Sequence, residues 1–228
     1  ILADILYPDK CIYCGVWGET VCEECVNKFE RLEEPYCSIC MHPVSKKSIG
    51  EAKYIICIQC QKRPRFFRKF YAPFVYSGYV KEFIHRLKYG KDYSLIPYFI
   101  RLFTETIKGV IEIDKIDWIV PVPLSKKHFR VRGFNIVKIM AERISYKKTK
   151  ELITKKAEVL PQAGLSLSQR IKNPINAFSC KEEIKDKNVL VVDDIFTTGT
   201  TINECAKTLV CAGAKEVEAV AFARSVME

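Results

Sequence analysis

The stretch from Val189 to Thr201 holds the residue types best suited to binding a phosphorylated sugar. Four apolar residues end in two carboxylates, Asp193 and Asp194, as expected of a buried parallel strand that ends at a ligand site. A loop of hydroxyls around one glycine follows and leads into a predicted helix; its members are Thr197, Thr198, Gly199, Thr200 and Thr201. A glycine-containing loop at a helix N-terminus binds phosphate through backbone N–H groups, and the carboxylates suit sugar hydroxyls with Mg²⁺ nearby. The pattern therefore predicts a ribose 5-phosphate site, and we call residues 197–201 the phosphate cradle.

A second stretch places cations at the end of another predicted strand. Residues 120–124 read Val-Pro-Val-Pro-Leu, and the cations that follow are Lys126, Lys127, Arg130 and Arg132. Arginine binds phosphate oxygens through two parallel N–H bonds. This spacing predicts a diphosphate-binding segment, with Lys126, Arg130 and Arg132 as its ligands.

A third stretch contains Gln162, Gly164, Arg170 and Asn173. We interpret it as a mobile loop that closes over bound substrate. A solvated helix face is an equally good interpretation of Arg170.

Eight of the eleven cysteines form four C-x-x-C pairs in the first sixty residues: Cys11/Cys14, Cys22/Cys25, Cys37/Cys40 and Cys57/Cys60. Two-residue spacing directs both thiolates of a pair at one ion, and four thiolates complete a tetrahedral zinc site. A disulfide framework would need an oxidising compartment, which nothing in the sequence indicates. We therefore predict two structural zinc sites that leave no open position for catalysis.

The order of the cysteine pairs leaves two ways to divide them. Gly15 after the first pair, and a helix predicted over residues 23–34, favour a treble clef in which the first two pairs share one ion. The third and fourth pairs then hold the other. A cross-braced arrangement, first pair with third and second with fourth, is the alternative. His42 is interpreted as a surface histidine rather than a ligand.

A basic and aromatic segment follows the last cysteine: Lys62, Arg63, Arg65, Phe66, Phe67, Arg68 and Lys69. Such interleaving can bind single-stranded nucleic acid by stacking and phosphate contact. The alternative, which we favour, is a linker whose Phe66 and Phe67 pack on the next domain. In either case the segment ends a Cys-rich zinc-binding module, residues 1–69, and a second domain spans residues 70–228.

The second domain alternates predicted strands and helices. Strands are expected at residues 70–76, 117–122, 189–192 and 217–223, and helices at residues 80–89, 93–108, 134–143 and 200–212. This alternation is typical of an α/β fold with a parallel sheet flanked by helices.

Composition limits the remaining possibilities. The 228 residues are 48% hydrophobic with a net charge of +10, which excludes a disordered chain and favours an anionic partner. Each Zn(Cys)₄ site has a formal charge of −2, so two sites would lower the total to about +6. No apolar run approaches the roughly 18–20 residues of a membrane span. The first residues include Asp4 and lack a basic segment, so we expect no signal peptide and a cytoplasmic location.

The strand, acidic pair and Thr-Thr-Gly-Thr-Thr loop resemble the phosphoribosyl-pyrophosphate (PRPP) motif of type I phosphoribosyltransferases. That resemblance implies a type I phosphoribosyltransferase-like sheet. It also implies that Asp193 and Asp194 bind the ribose 2′- and 3′-hydroxyls, that the cradle binds the 5-phosphate, and that a loop at residues 126–132 grips the pyrophosphate of Mg²⁺-bound PRPP.

The order of all these motifs, with a Leu-Lys-Tyr-Gly segment ending at Gly90 and Arg-Gly-Phe-Asn ending at Asn135, resembles the ComF competence-protein family. The family often has Gln at the next position, where this chain has Ile136. The resemblance implies a cytoplasmic protein of natural transformation that handles single-stranded DNA after it crosses the inner membrane, with DNA-uptake or recombination proteins as partners. Association with the inner face of the membrane is an alternative location. An active Mg²⁺-dependent phosphoribosyltransferase with an unidentified acceptor is the alternative, in which Asp193, Asp194, Arg130 and Arg132 would be the catalytic set.

Overall fold

The computed structural model of the chain describes residues 10–45, 54–90, 92–156 and 177–226. The loop predicted around Gln162, Gly164, Arg170 and Asn173 lies outside these ranges. Among the described residues, no helix is both long enough and apolar enough to cross a membrane.

The central sheet is parallel and sits in the C-terminal part of the chain. Its strands are β1 (Lys69–Tyr71), β2 (Phe74–Val75), β3 (Trp118–Pro121), β6 (Asn188–Phe196) and β7 (Glu216–Arg224). They lie in the order β1-β7-β6-β3, and β2 also pairs with β7. The two nine-residue strands β6 and β7 form the centre, where β6 is buried from Val189 to Val192. A buried parallel strand reads as a continuous apolar run, which is the signal present in the sequence.

Helices cover the sheet and arise where apolar residues recur at helical spacing. They are α3 (Gly78–Tyr89), α4 (Leu95–Ile107), α5 (Lys126–Arg132), α6 (Ile136–Ser145) and α7 (Thr200–Cys211). The apolar face of α3, which includes Phe83 and Leu87, is buried. Phe83 and Phe99 lie 5.9 Å apart, and Phe99 stacks at 4.3 Å on Phe222 of β7. This aromatic core confirms the predicted α/β architecture.

A separate antiparallel ribbon, β4 (Ile153–Lys155) with β5 (Phe178–Cys180), was not predicted from the sequence. Its strands have three residues each, too short for a clear alternation pattern.

The Cys-rich module packs directly on the sheet domain. The Tyr13 hydroxyl donates to the backbone oxygen of Tyr79 at 2.7 Å, and Phe29 contacts the ring of Phe74 at 5.6 Å. The Phe70 N–H donates to the Ile39 carbonyl at 2.8 Å. Both parts of the chain thus share one apolar core, and a division between residues 69 and 70 stays a prediction.

Two predicted elements differ from the structure. The helix predicted over residues 23–34 is only α1, Glu23–Val26, because the chain beyond it bridges to the sheet edge at Arg31↔Phe74. The strand predicted over residues 70–76 is split into β1 and β2, and Pro73 between them has no N–H to donate. A short helix α2, Ile58–Lys62, also carries Cys60.

Candidate functional site

The acidic pair lies at the carboxyl end of β6, where ligands of parallel sheets bind. Asp194 is 8% exposed, and Asp193 is half-buried with its Oδ1 accepting the Asp194 N–H at 2.9 Å. Burial raises the pKa of Asp193 to about 8, and the Asp194 carboxylate adds to the shift. Lys88 and Arg132 oppose it. Hydroxyl donors, or a cation brought by a ligand, would stabilise the ionised form of Asp193.

Lys88 is a site residue that the sequence analysis did not assign. Its Nζ lies 2.6 Å from Asp194 Oδ2, and both side chains are nearly buried. Lys88 follows Leu87, the last buried residue of α3, and lies one turn after buried Ile84. That position at the border of the apolar face is the signal that could have identified it.

The phosphate cradle connects β6 to α7. Gly199 adopts a left-handed conformation with φ +75° immediately before α7 begins at Thr200. A Cβ at Gly199 would lie 2.3 Å from Cζ of Phe196, so no larger residue fits without moving that ring. The Thr198 and Thr200 hydroxyls lie 2.9 Å apart, and the side chains of Thr197 and Thr201 are exposed. Exposed hydroxyls beside the N-terminus of a twelve-residue helix suit a phosphate group.

The segment predicted to bind diphosphate is helical rather than an open loop. Ser125 caps α5 by accepting the His128 N–H at 3.2 Å, and Gly133 ends the helix at φ +78°. Lys126 begins α5, and its side chain lies outside the described part of the structure. The two arginines face different surroundings, because they lie two residues apart on the helix.

The guanidinium of Arg132 packs over the Tyr89 ring at 5.3 Å and donates to the Tyr89 hydroxyl at 3.3 Å. Its positive charge also lowers the pKa of Asp193, which opposes the effect of burial. Arg130 instead lines a cleft of about 1060 Å³ between α5 and the β4–β5 ribbon. The charged side chains that line it are mostly basic: besides Arg130 they are Lys138, Lys155, Lys156 and Lys181, and Glu151 is the one acidic residue among the described lining residues. Such a surface is suited to phosphate groups.

The eight C-x-x-C cysteines form two groups, Cys11, Cys14, Cys22 and Cys25, and Cys37, Cys40, Cys57 and Cys60. Within each group the thiol sulfurs lie within 4.8 Å of one another. Two of these separations, Cys14–Cys22 at 3.5 Å and Cys40–Cys57 at 3.7 Å, approach the roughly 3.8 Å between sulfurs around one tetrahedral zinc. The donor sets therefore fit zinc, and the grouping is the consecutive one rather than the cross-braced one.

Of the two aromatic residues in the basic segment 62–69, Phe67 packs on the sheet domain, as the linker interpretation predicted, whereas Phe66 is partly exposed. Phe67 is 2% exposed and meets the Phe196 ring edge-on at 6.2 Å, so it cannot stack on a nucleobase without leaving the core. Arg68 pairs with Glu216 and Glu218 of β7. The Phe66 ring is 37% exposed, and the side chains of Lys62, Arg63 and Lys69 are exposed.

His42 is not a free surface residue: its Nδ1 lies 3.1 Å from Nη2 of buried Arg224. Neither His42 nor Cys180, Cys205 or Cys211 belongs to the two cysteine groups.

Two family descriptions match this chain. Residues 129–225 match the phosphoribosyl transferase domain, and residues 2–61 match the double zinc ribbon domain. Competence protein ComFC of Streptococcus pneumoniae is 28% identical over 94% of this chain and 100% of its own length. DNA utilization protein YhgH of Escherichia coli is 25% identical over 96% of this chain and 98% of its own length. Competence protein ComFC of Bacillus subtilis is 26% identical over 84% of this chain and 78% of its own length. Residues 2–61 are thus similar to a double zinc ribbon domain and residues 129–225 to a phosphoribosyl transferase domain, and over most of its length the chain is similar to the ComFC and YhgH proteins.

Proposed function

We propose that this protein acts in DNA utilization during natural transformation, in the cytoplasm, and that its phosphoribosyl transferase domain binds PRPP. The observation that carries the ligand assignment is the acidic pair at the end of β6, followed by the left-handed Gly199 at the start of α7. The carboxylates suit a diol, and the loop five residues after Asp194 suits a phosphate. Ribose 5-phosphate carries both groups.

Each group of the proposed ligand has a partner in the site. Asp193 and Asp194 accept hydrogen bonds from the two ribose hydroxyls, and the cradle binds the 5-phosphate. Arg130, which lines the cleft, and Lys126 bind the diphosphate, and Arg132 adds positive charge beside Asp193. Mg²⁺ would enter with PRPP and neutralise the diphosphate charge.

Calorimetric titration with PRPP and Mg²⁺ tests the ligand. We expect binding by the wild type and a loss of at least about tenfold in the Asp193→Asn/Asp194→Asn variant, because the Asp194 carboxylate, a strong acceptor for a ribose hydroxyl, is replaced by a neutral amide. Glu112→Gln is the matched control, since the Glu112 side chain is 70% exposed. Equal binding by the double variant and the wild type would reject the site assignment.

The names of the relatives support DNA as a partner, and two cationic surfaces support a single strand as the form that is bound. The first is the cleft between α5 and the ribbon, which includes Lys155, Lys156 and Phe129, whose ring is 50% exposed. The second is the exposed remainder of the junction, Lys62 and Arg63. Cations interleaved with an exposed aromatic ring suit a single strand.

Fluorescence anisotropy with labelled oligothymidine, measured over a range of salt concentrations, tests this part. Affinity should fall as salt rises, and Lys155→Ser/Lys156→Ser should reduce the slope of log K against log salt by about 1.4. The change in slope caused by Lys62→Ser/Arg63→Ser measures the contribution of the second surface in the same way. A flat salt dependence in the wild type would exclude phosphate contacts at both surfaces.

The cleft also leaves room for the second candidate, an active transferase. A nucleophilic acceptor would form a bond to C1 of PRPP while the C1–O bond to pyrophosphate breaks and its electron pair leaves with pyrophosphate. The protein would mainly supply position and charge. Pyrophosphate release from PRPP and Mg²⁺ in the presence of a nucleobase panel, and of oligothymidine, distinguishes the two: binding without release supports a non-catalytic role.

A further inference from the structure

One carboxylate of the acidic pair is already paired with a cation of the protein. Lys88 Nζ lies 2.6 Å from Asp194 Oδ2, and both side chains are nearly buried. Water and salt screen such a pair only weakly, so each partner strongly favours the charged form of the other. A carboxylate offers about four acceptor positions on its two oxygens, so one ammonium group leaves room for a sugar hydroxyl. The ion pair and a bound ribose are therefore compatible.

Helix α3 fixes where Lys88 lies. Four apolar residues of this helix are buried: Val80, Phe83, Ile84 and Leu87. Near its start the Tyr79 carbonyl accepts the Tyr13 hydroxyl at 2.7 Å, which ties that end to the Cys-rich module. Lys88 lies in the last turn, where the partial negative charge of the helix end favours a cation. A rigid element thus holds the ammonium group at the carboxyl end of β6, as expected of a residue that orients another group.

Groups from the elements around the acidic pair act on its charge. Burial opposes the ionisation of Asp193, and so does the charge of Asp194. Lys88 and Arg132 favour it. The other titratable groups nearby come from the segment after β2, from α3 and from α7; they are Tyr76, Tyr89 and Cys205. Burial raises the pKa of both Tyr76 and Cys205, so neither is charged at neutral pH. Among the described residues, Lys88 is the cation in ion-pair contact with the acidic pair.

The contact of Lys88 with Asp194 has two opposing effects on a sugar diol. The ammonium group occupies one acceptor position of Asp194 and so competes with a hydroxyl. It also keeps two adjacent, poorly solvated carboxylates charged, and without a cation such a pair gains a proton. A protonated carboxyl is a weaker acceptor than a carboxylate. The second effect is the larger, because loss of Lys88 removes the charge of a whole carboxylate but frees only one of about four acceptor positions.

We propose that Lys88 is a positioning residue of the ribose site, which keeps the acidic pair ionised and oriented to accept the two ribose hydroxyls. The ligand half of this inference rests on the proposed function. The effect of Lys88 on the ionisation of the ligand-free pair does not.

Ionisation of the pair is measured first, without a ligand, by ¹³C NMR of the zinc-loaded full chain with labelled aspartate carboxyl groups. Asp193→Asn and Asp194→Asn assign the two signals. In Lys88→Met the pair should complete its ionisation at least about one pH unit higher than in the wild type, because an opposite charge at this distance lowers a carboxyl pKa by about 1–3. Lys88→Gln keeps a donor without the charge and should behave like Lys88→Met. Lys88→Arg keeps the charge and should stay near the wild type.

Ribose 5-phosphate affinity, measured by calorimetry from about pH 7.5 to 9.5, tests the ligand half, because a phosphate with its second pKa at about 6 keeps a constant charge over this range. Lys88→Met should bind about tenfold more weakly at the lower end, and the difference should shrink as pH rises and its acidic pair becomes ionised. Lys88→Arg should follow the wild-type profile. Arg86→Met, on the same helix at an ion pair about half exposed, is the matched control and should match the wild type in both measurements.

Should Lys88→Met fail to fold, Lys88→Gln decides the result. Unchanged ionisation of the pair in these variants would overturn the proposal. Tighter ribose 5-phosphate binding would do the same, since competition would then be the larger effect, and so would a loss of affinity by the same factor at every pH, which a merely structural role gives. A shifted ionisation with unchanged affinity would overturn the link to the diol. If the wild type itself does not bind ribose 5-phosphate, the proposed function fails, and the NMR measurement still decides whether Lys88 keeps the pair ionised.

Discussion

Replacing Gly199 by alanine should destabilise the protein more than the same change at any glycine in open space. Two costs add. A left-handed conformation costs an L-residue about 1–2 kcal/mol, and Gly199 has φ +75°. The new Cβ would also lie 2.3 Å from Cζ and 2.9 Å from both Cε atoms of Phe196. That ring is 1% exposed and lies 4.1 Å from the Phe70 ring, so it cannot move freely.

Forcing a methyl group into packed surroundings costs about 1–3 kcal/mol, so the total loss for Gly199→Ala should be about 2–5 kcal/mol. For a chain of this length each kcal/mol lowers the melting temperature by about 2–4 °C, which gives a decrease of about 4–20 °C. Urea denaturation followed by circular dichroism measures the free energy of unfolding. Ribose 5-phosphate affinity, measured well below the melting temperature, should also fall.

Gly109 provides the control for backbone strain alone. It has φ +79°, and a Cβ there meets nothing within 4 Å. Gly109→Ala should therefore lose only about 1–2 kcal/mol. Equal losses at the two positions would refute the argument that the Phe196 ring excludes a side chain from the cradle.

Three further outcomes follow from the site. Lys88→Met should lower the free energy of unfolding, measured by urea denaturation, by about 3 kcal/mol, because the nearly buried Asp194 carboxylate loses its cation. Arg86→Met removes an ion pair that is about half exposed and should lower it by less than about 1 kcal/mol. Equal losses in the two variants would contradict this reasoning. Burial raises the pKa of Asp193 to about 8, so the protonated side chain contributes its full stability below about pH 4, and this contribution is lost as pH rises through 8. The melting temperature of Asp193→Asn should therefore rise relative to that of the wild type as pH increases from about 5 to 8.5. A difference that stays constant with pH would refute the pKa shift. Elemental analysis should find two zinc ions per chain and one in Cys57→Ser, and a single ion in the wild type would contradict the two-site assignment.

Local patterns predicted those parts of the site that follow one another along the chain. The apolar run from Val189 and the carboxylates after it define a buried strand and its ligand end, because parallel strands are buried on both faces. The spacing of the C-x-x-C pairs predicted zinc ligation in the same way. Each signal depends on fewer than about fifteen consecutive residues, a length over which periodicity is informative.

Contacts between distant segments decided the rest. The predicted helix over residues 23–34 ends at Val26 because Arg31 bridges to Phe74 at the sheet edge. The ion pair of Lys88 with Asp194 joins residues far apart in sequence. No local pattern encodes such a pairing, since it depends on how α3 packs against the carboxyl end of β6.

The sequence by itself determined that this protein has eight zinc-ligating thiols and an acidic pair with a glycine-containing loop, because those features are set by residue type and short spacing. Only the tertiary structure decided which thiols share an ion, and that the Arg65 guanidinium contacts the Thr198 carbonyl of the cradle. A cation bound to a carbonyl 133 positions away is chosen by packing, and packing depends on the whole folded chain.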